Sequence, residues 1–319
     1  MIDVRNEVLE AEERIRSPIR KTPVDHSPFL SQKGKCNAFL KLENLQITGS
    51  FKLRGALNKL LSLSKERLKK GVITASSGNH GAAFAYIVQK HGWKGIICVP
   101  ENTSKSKIEA LRLYGADIHF IGNDYIQTEL YAIETAQKKG YEFISAYNDP
   151  KIIGGQGTIG IELSEQLNKI DVVFVPLGGG GLISGVAGFL KAVNNNIKII
   201  GCQPKNSPVM YESIKAGRII EMDSKPTLSD GTAGGIDKDA LTFDLCRKYV
   251  DDYVLISEKE LKEAVRLFIE KHHMIIEGAA ALSVASFLKI KQKLKGKNVV
   301  LIISGAKISI DKLKEIICE

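Results

Sequence analysis

Ser50-Phe51-Lys52-Leu53-Arg54-Gly55-Ala56 places a lysine directly after Gly49 and at the head of an apolar helical pattern that continues through Leu57, Leu60 and Leu61. Ammonium groups are seldom buried unless paired or functional, so a lysine at a helix start is ordinarily solvated. Lys52 stands apart because of its company. Downstream lie Ser76-Ser77-Gly78-Asn79-His80-Gly81, then Gly178-Gly179-Gly180-Gly181 directly after an apolar strand, then Ser304-Gly305 directly after another.

Around these stretches, short apolar strands alternate with helical patterns. Strands are expected over 38–42, 71–75, 95–99, 117–121, 172–177, 197–202 and 299–303. Helices are expected over 81–91, 105–114, 125–138, 182–193, 258–272, 279–294 and 311–317. That alternation implies an α/β fold around buried, mainly parallel sheets. No internal repeat or low-complexity linker interrupts it.

The chain has 319 residues, 44% hydrophobic and 25% charged, which is the composition of an ordinary globular protein. Two domains of roughly 100–200 residues each fit that length, and a full apolar core needs no disulfide or metal staple. No apolar run approaches the roughly 18–20 residues of a membrane span, so no membrane partner is expected. Met1-Ile2-Asp3-Val4-Arg5-Asn6-Glu7 lacks the apolar centre of a secretory signal, and a cytoplasmic location is expected. Cys36, Cys98, Cys202, Cys246 and Cys318 are odd in number, far apart and without a Cys-x-x-Cys pair. They read as buried reduced thiols rather than a disulfide framework or zinc knuckle. The formal charge of +9 raises the question of nucleic acid. The lysines, however, are scattered over stretches such as 65–70 and 289–297, without arginine clusters or interleaved aromatics, so they are expected to be solvated faces and no nucleic-acid partner is expected.

A phosphate dianion needs donors and positive potential without crowding side chains, and four glycines between a strand and a helix supply both. A structural glycine turn is one alternative. A dinucleotide loop is another, but Ile183 occupies the third glycine position of the G-x-G-x-x-G pattern and Gln203 stands where a ribose-binding acid belongs. The 76–81 stretch also joins a strand to a helix, and a carboxylate suits such a helix start. The competing reading makes Ser77 the helix N-cap, with Asn79 and His80 as surface polar residues.

Leu42-Glu43-Asn44-Leu45-Gln46 leading into 49–56, then 76–81, Gly154-Gly155-Gln156-Gly157-Thr158 and 178–181, in this order, resemble the motifs of the fold type II pyridoxal-phosphate enzymes, specifically the threonine/serine dehydratase and serine racemase group. The resemblance covers nearly the whole length. Asp230-Gly231, followed by Thr232-Ala233-Gly234-Gly235, is similar to that family's loop near the cofactor ring. The resemblance implies a two-domain α/β fold of the tryptophan synthase β type. Residues 1–44 and 146–319 would form the larger cofactor-binding domain and 45–145 a smaller inserted one, with the cofactor in the cleft between them.

It further implies that Lys52, beside Phe51, holds pyridoxal 5'-phosphate through its amine and then takes the substrate Cα proton, a role helped by desolvation. Asn79 would meet the ring hydroxyl, Gly178 to Gly181 the phosphate, and Ser304 the pyridine nitrogen, with Gly231 and Glu277 near the ring. Ser76, Ser77, Gly78, Asn79 and His80 would receive the substrate carboxylate, and Ser77 is the candidate acid/base on the face opposite Lys52. A neutral serine at the ring nitrogen weakens the electron sink and suits elimination. The implied activity is loss of ammonia from a β-hydroxy amino acid, L-threonine or L-serine, to give a 2-oxo acid. Alternatives are an amino-acid racemase, a dehydratase of a hydroxyaspartate-like or ectoine-pathway substrate, and a non-catalytic binder of the cofactor or of amino acids. A dimer or tetramer of identical chains is expected.

Two departures stand out. Ala306 and Lys307 replace the glycine and asparagine that usually follow Ser304-Gly305, adding a methyl and a cation. Gln203 and Val209 stand where racemase-like members carry metal-ligating carboxylates, so no metal site is expected.

Overall fold

The computed structural model describes residues 2–318, so the outermost residues of the expected larger segment, Met1 and Glu319, lie outside the described residues. The strands are β1 (Val24–His26), β2 (Asn37–Lys41), β3 (Val72–Ala75), β4 (Gly95–Val99), β5 (Asp117–Phe120), β6 (Glu142–Phe143), β7 (Val172–Pro176), β8 (Lys198–Pro204), β9 (Asp252–Ile256) and β10 (Asn298–Ile302). They form a six-stranded sheet in the order β1-β2-β10-β7-β8-β9 and a four-stranded sheet in the order β5-β4-β3-β6. The pairing of β1 with β2 is antiparallel, and the other strand pairings are parallel.

Parallel strands covered on both faces read as continuous apolar runs, which is why β7 and β10 were visible in the sequence. Along β7, Val172 and Phe174 pack with Phe268 and Phe287, while Val173 and Val175 turn to the other face and meet Val8, Ile159 and Val186. This is the two-residue alternation of a strand buried on both sides. In the smaller sheet Val72 packs with Leu57, Leu60 and Phe84, and Ile73 with Ala132 and Ala136. The strands not foreseen, β1, β6 and β9, all lie at sheet edges, where partial exposure breaks the apolar run.

Helices occupy the expected stretches, with one adjustment: the pattern over 279–294 is an α-helix only over Gly278–Ile290 and finishes as a 3-10 turn, Lys291–Leu294. The helix Pro150–Gln166 contains the Gly154 to Thr158 motif in its interior. Asp149 starts it, its Oδ1 accepting from the N–H groups of Lys151 at 2.7 Å and Ile152 at 3.2 Å. Interior glycines disfavour a helix by roughly 1 kcal/mol each relative to alanine. Here they permit contact that a side chain would block. A Cβ on Gly155 would lie 2.6 Å from Arg54 O and Gly55 Cα, and one on Gly157 2.2 Å from Val8 Cγ2. The helix is thereby sandwiched among the helices Val4–Ile15, Lys52–Leu61 and Gly181–Val193.

No helix among the described residues is long and apolar enough to cross a membrane. The thiols of Cys98, Cys202 and Cys246 are buried, as expected, whereas Cys36 is half-buried and Cys318 is exposed near the chain end.

Candidate active site

The carboxyl end of β3 runs directly into Ser76, and those of β7 and β10 reach Gly178 and Ser304 after one intervening residue, at the edge where open α/β sheets offer their ligand sites. The segment carrying Lys52 is fastened to the last of these. Ser50 forms an isolated antiparallel bridge with Gly305, Phe51 N–H donates to Ser304 O at 3.1 Å, and Ala306 N–H donates to Gly49 O at 3.0 Å. Gly49 has φ +75°, a left-handed conformation natural to glycine. Lys52 is then the first residue of the helix Lys52–Leu61. Its half-buried amine donates to Ala146 O at 2.8 Å and lies 5.3 Å from the Phe51 ring centre. Burial pulls its pKa down to about 8, with Glu277 opposing the shift. The amine therefore gives up a proton far more readily than an ordinary lysine.

After β3 the chain turns through Gly78, which is the N-cap of the helix Asn79–His91 and makes no side-chain capping bond. The reading of Ser77 as N-cap is thus overturned, because the helix starts one residue later than that reading needs. Ser76 Oγ accepts from Gly78 N–H at 3.2 Å, and Ser77 is left half-buried in the turn. Asn79 and His80 are not surface residues either. His80 is buried, with Nε2 3.2 Å from Ile144 O, and burial together with Lys52 pulls its pKa down to about 3. The ring is therefore neutral at physiological pH, Nε2 donates to the carbonyl, and Nδ1 is buried without a partner among the described residues.

Asn79 Nδ2 donates to both Glu277 carboxylate oxygens, at 3.0 and 2.8 Å, leaving Asn79 Oδ1 buried and unpaired among the described residues. Glu277 is itself buried. Burial and nearby Asp230 push its carboxyl up to about 7, against the donors on Asn79 and Lys307. Gly305 is required beside it, since a Cβ there would come 2.5 Å from Glu277 Oε1. Ser304 is 1% exposed and its Oγ has no hydrogen-bond partner among the described residues.

The four glycines after β7 are enclosed by Tyr147, Thr232 and Thr242. Added Cβ atoms would come 2.8 Å from Thr232 Cα at Gly178, 2.6 Å from the Tyr147 ring at Gly179, and 2.8 Å from Thr242 Cβ at Gly180. Thr242 Oγ1 donates to Gly179 O at 2.6 Å, while no described residue accepts from the N–H groups of Gly178 to Gly181. Those groups sit at the amino end of the helix Gly181–Val193, where positive potential gathers. Gly231 lies in the 3-10 turn Asp230–Thr232, so the same turn that carries it also places Thr232 against Gly178.

No sequence signal marked the Ala146 carbonyl or Tyr147, whose hydroxyl accepts from Asp237 N–H at 2.8 Å while its ring covers the glycines. A backbone carbonyl carries no residue signature, and an aromatic in a loop resembles many others. The donor and acceptor set fits pyridoxal phosphate: an amine that loses its proton easily, free N–H groups at a helix start for a phosphate, and two unpaired buried side-chain oxygens, on Ser304 and Asn79, for the polar atoms of a ring.

Comparison with known proteins agrees. A family model described as pyridoxal-phosphate dependent enzyme matches residues 15–305. The chain is 41% identical over 311 residues to an L-threonine ammonia-lyase of Thermotoga maritima, covering 98% of this chain and 77% of the relative. It is similar to the structure of the processed form of threonine deaminase isoform 2 from Solanum lycopersicum, with TM-score 0.94, 34% identity, and coverage of 98% of this chain and 87% of the other. It is also similar to maize serine racemase, with TM-score 0.92, 32% identity, and coverage of 98% and 95%.

Proposed function

Since the chain belongs to the family of pyridoxal-phosphate dependent enzymes, we propose that it is an ammonia-lyase of the threonine dehydratase type, acting on L-threonine and L-serine. The observation that carries this reading is the bond from Phe51 N–H to Ser304 O, which fastens the segment that carries Lys52 to the one that carries Ser304. It sets a proton-labile amine and a neutral hydroxyl in one site. The name of the Thermotoga relative supports the same reading.

Pyridoxal phosphate, when bound, supplies an aldehyde that combines with amines and a ring that accepts the electron pair left by a departing Cα proton. Lys52 would hold the cofactor, and its amine, which loses a proton easily, would take the substrate Cα proton on its own face. The N–H groups of Gly178 to Gly181 would hold the phosphate. Asn79, oriented by Glu277, would hold the ring hydroxyl, and Ser304 the ring nitrogen, with Gly231 nearby. A neutral hydroxyl at Ser304, rather than an acid, would suit loss of the β-hydroxyl. Ser76, Ser77 and Gly78, with Asn79 and His80, bind the substrate carboxylate, and Ser77 serves the face opposite Lys52. Threonine loses water across Cα–Cβ, water returns at the imine carbon, and the net products are 2-oxobutanoate and ammonia.

In this reading the cleft lies between residues 45–145 and the remainder, and the enzyme is a cytoplasmic dimer or tetramer. The likeness to maize serine racemase supports a second reading, in which Ser77 returns a proton to the opposite face and racemisation accompanies elimination. A panel of L-threonine, L-serine, D-serine and 3-hydroxyaspartate, assayed for 2-oxo acid, ammonia and enantiomer, separates the two. Equimolar 2-oxobutanoate and ammonia from L-threonine is the expected result. D-serine accumulating from L-serine faster than pyruvate would favour the racemase, and no product from any substrate would overturn both.

A further inference from the structure

We propose that Arg54 is a positioning residue for Lys52, acting through two bidentate ion pairs with Glu43 and Glu162. This rests on Lys52 being the residue that carries the cofactor. Arg54, Glu43, Glu162 and Lys41 are each 0% exposed, and Arg54 lies in the first turn of the Lys52 helix.

The two forks are complete. Arg54 Nε and Nη2 donate to Glu43 Oε2 and Oε1 at 2.8 and 2.7 Å, and Nη1 and Nη2 donate to Glu162 Oε1 and Oε2 at 2.7 and 2.9 Å. Nη1 also reaches Thr158 Oγ1 at 3.1 Å, so the guanidinium's donors are all engaged. Lys41 Nζ pairs with Glu162 and donates to Thr22 O and Gln166 Oε1, each at 2.8 Å.

Each fork ends on an element that adjoins the surroundings of Lys52. Glu43 opens the turn Glu43–Leu45, whose Asn44 N–H donates to Ile303 O at 2.9 Å, one residue before Ser304. Glu162 belongs to the helix Pro150–Gln166, which follows closely on Ala146, the acceptor of the Lys52 amine. Arg54 lies two residues after Lys52, within the same turn. It therefore fixes Lys52 against the Ser304 side and the Ala146 side at once.

Geometry, rather than field or stability, is what such a network supplies here. Arg54 and Lys41 balance Glu43 and Glu162, and Arg16, which also reaches Glu162 Oε1 at 2.7 Å, is paired with Glu12 at 3.2 Å, so positive and negative groups are equal in number. Burial would raise Glu162, but Arg54 and Lys41 outweigh it and hold its pKa at about 2, so the Glu162 fork stays ionised across any working pH. Buried ion pairs can often be replaced by packed apolar groups without loss of stability, which leaves orientation as the property a fork adds. An ammonium in place of the guanidinium keeps the charge and loses both forks.

The test compares wild type with Arg54→Lys and Glu43→Gln, each as holoenzyme and after cofactor removal. Unfolding, kcat and KM for L-threonine, and the rate at which added pyridoxal phosphate develops its protein-bound visible band are measured for each. We expect folded variants with KM little changed and kcat lowered by about 10- to 100-fold, the scale of a small misplacement of a reacting group. Slower cofactor capture should accompany that loss. Wild-type kcat and capture rate in either folded variant would overturn the proposal, as would variants that only unfold, which would make the network purely structural. Borohydride-trapped cofactor on a lysine other than Lys52 in the wild type would instead remove the reading on which it rests.

Discussion

Glu277 is held by two donor contacts from Asn79, yet burial raises its pKa from the ordinary 4.5 to about 7. Below the unfolded value the group is neutral in both states and its stabilising preference is fully present. As pH rises through the folded value, ionisation is forced in the interior and that preference is lost. The difference corresponds to about 3 kcal/mol at most, at ~1.4 kcal/mol per pKa unit. Glu277→Gln, neutral throughout, should therefore gain Tm relative to cofactor-free wild type between pH 5 and pH 8. A Tm difference independent of pH would contradict the assignment. At Ser77 the structure removes a complication, because Gly78 caps the helix. Ser77→Ala should change stability by no more than about 0.5 kcal/mol, as expected away from caps and core. It should nonetheless impair elimination from a D-amino acid, or racemisation, more than elimination from the L-enantiomer, since Lys52 serves one face only. Equal loss with both enantiomers would leave Ser77 a carboxylate binder. Lys52 and Ser304 were legible in the sequence because each sits in a local motif. The Asn79–Glu277 pairing was not, because the two residues are 198 positions apart and only the fold joins them.

The helix Pro150–Gln166 shows how an element can be visible as a motif and hidden as a structure. Glycines at 154, 155, 157 and 160 ordinarily punctuate a chain, and nothing local reveals that the space of their missing side chains is filled by backbone of Glu7 and Arg54 at the first two and by the side chains of Val8 and Phe189 at the others. Gly155→Ala makes the argument testable, because propensity and packing predict opposite signs. Propensity alone would stabilise the helix by roughly 1 kcal/mol. The new methyl, however, would sit 2.6 Å from Arg54 O and from Gly55 Cα, both backbone atoms with little freedom to yield. Overpacking of this kind costs about 1–3 kcal/mol or more, so a lowered Tm is expected. A raised Tm would show that the two helices can separate at small cost. The same separation would shift Arg54 and with it Lys52, so kcat should fall alongside Tm.

For the whole molecule, the alternation of apolar strands and helices was enough to anticipate parallel sheets, and the central strands were found where expected. Of the edge strands only β5 was foreseen; β1, β6 and β9 were not, because they are short or half-exposed and give weak patterns. Independence from metal is an expectation that leads to a simple test. Gln203 Oε1 is already engaged as acceptor for Tyr211 N–H at 2.8 Å, and Val209 opens the helix Val209–Ala216, so neither offers the anionic oxygens a hard cation needs. Chelation should leave activity and Tm unchanged. A reversible loss restored by magnesium or calcium would locate ligands elsewhere in the chain.

The central claim is that Lys52 carries pyridoxal phosphate, and borohydride reduction of the holoenzyme followed by peptide mapping tests it most directly. The account predicts a single modified peptide, with the reduced cofactor on Lys52 and none on Lys52→Ala. Cofactor on another lysine, or retained by Lys52→Ala through a covalent bond, would contradict it.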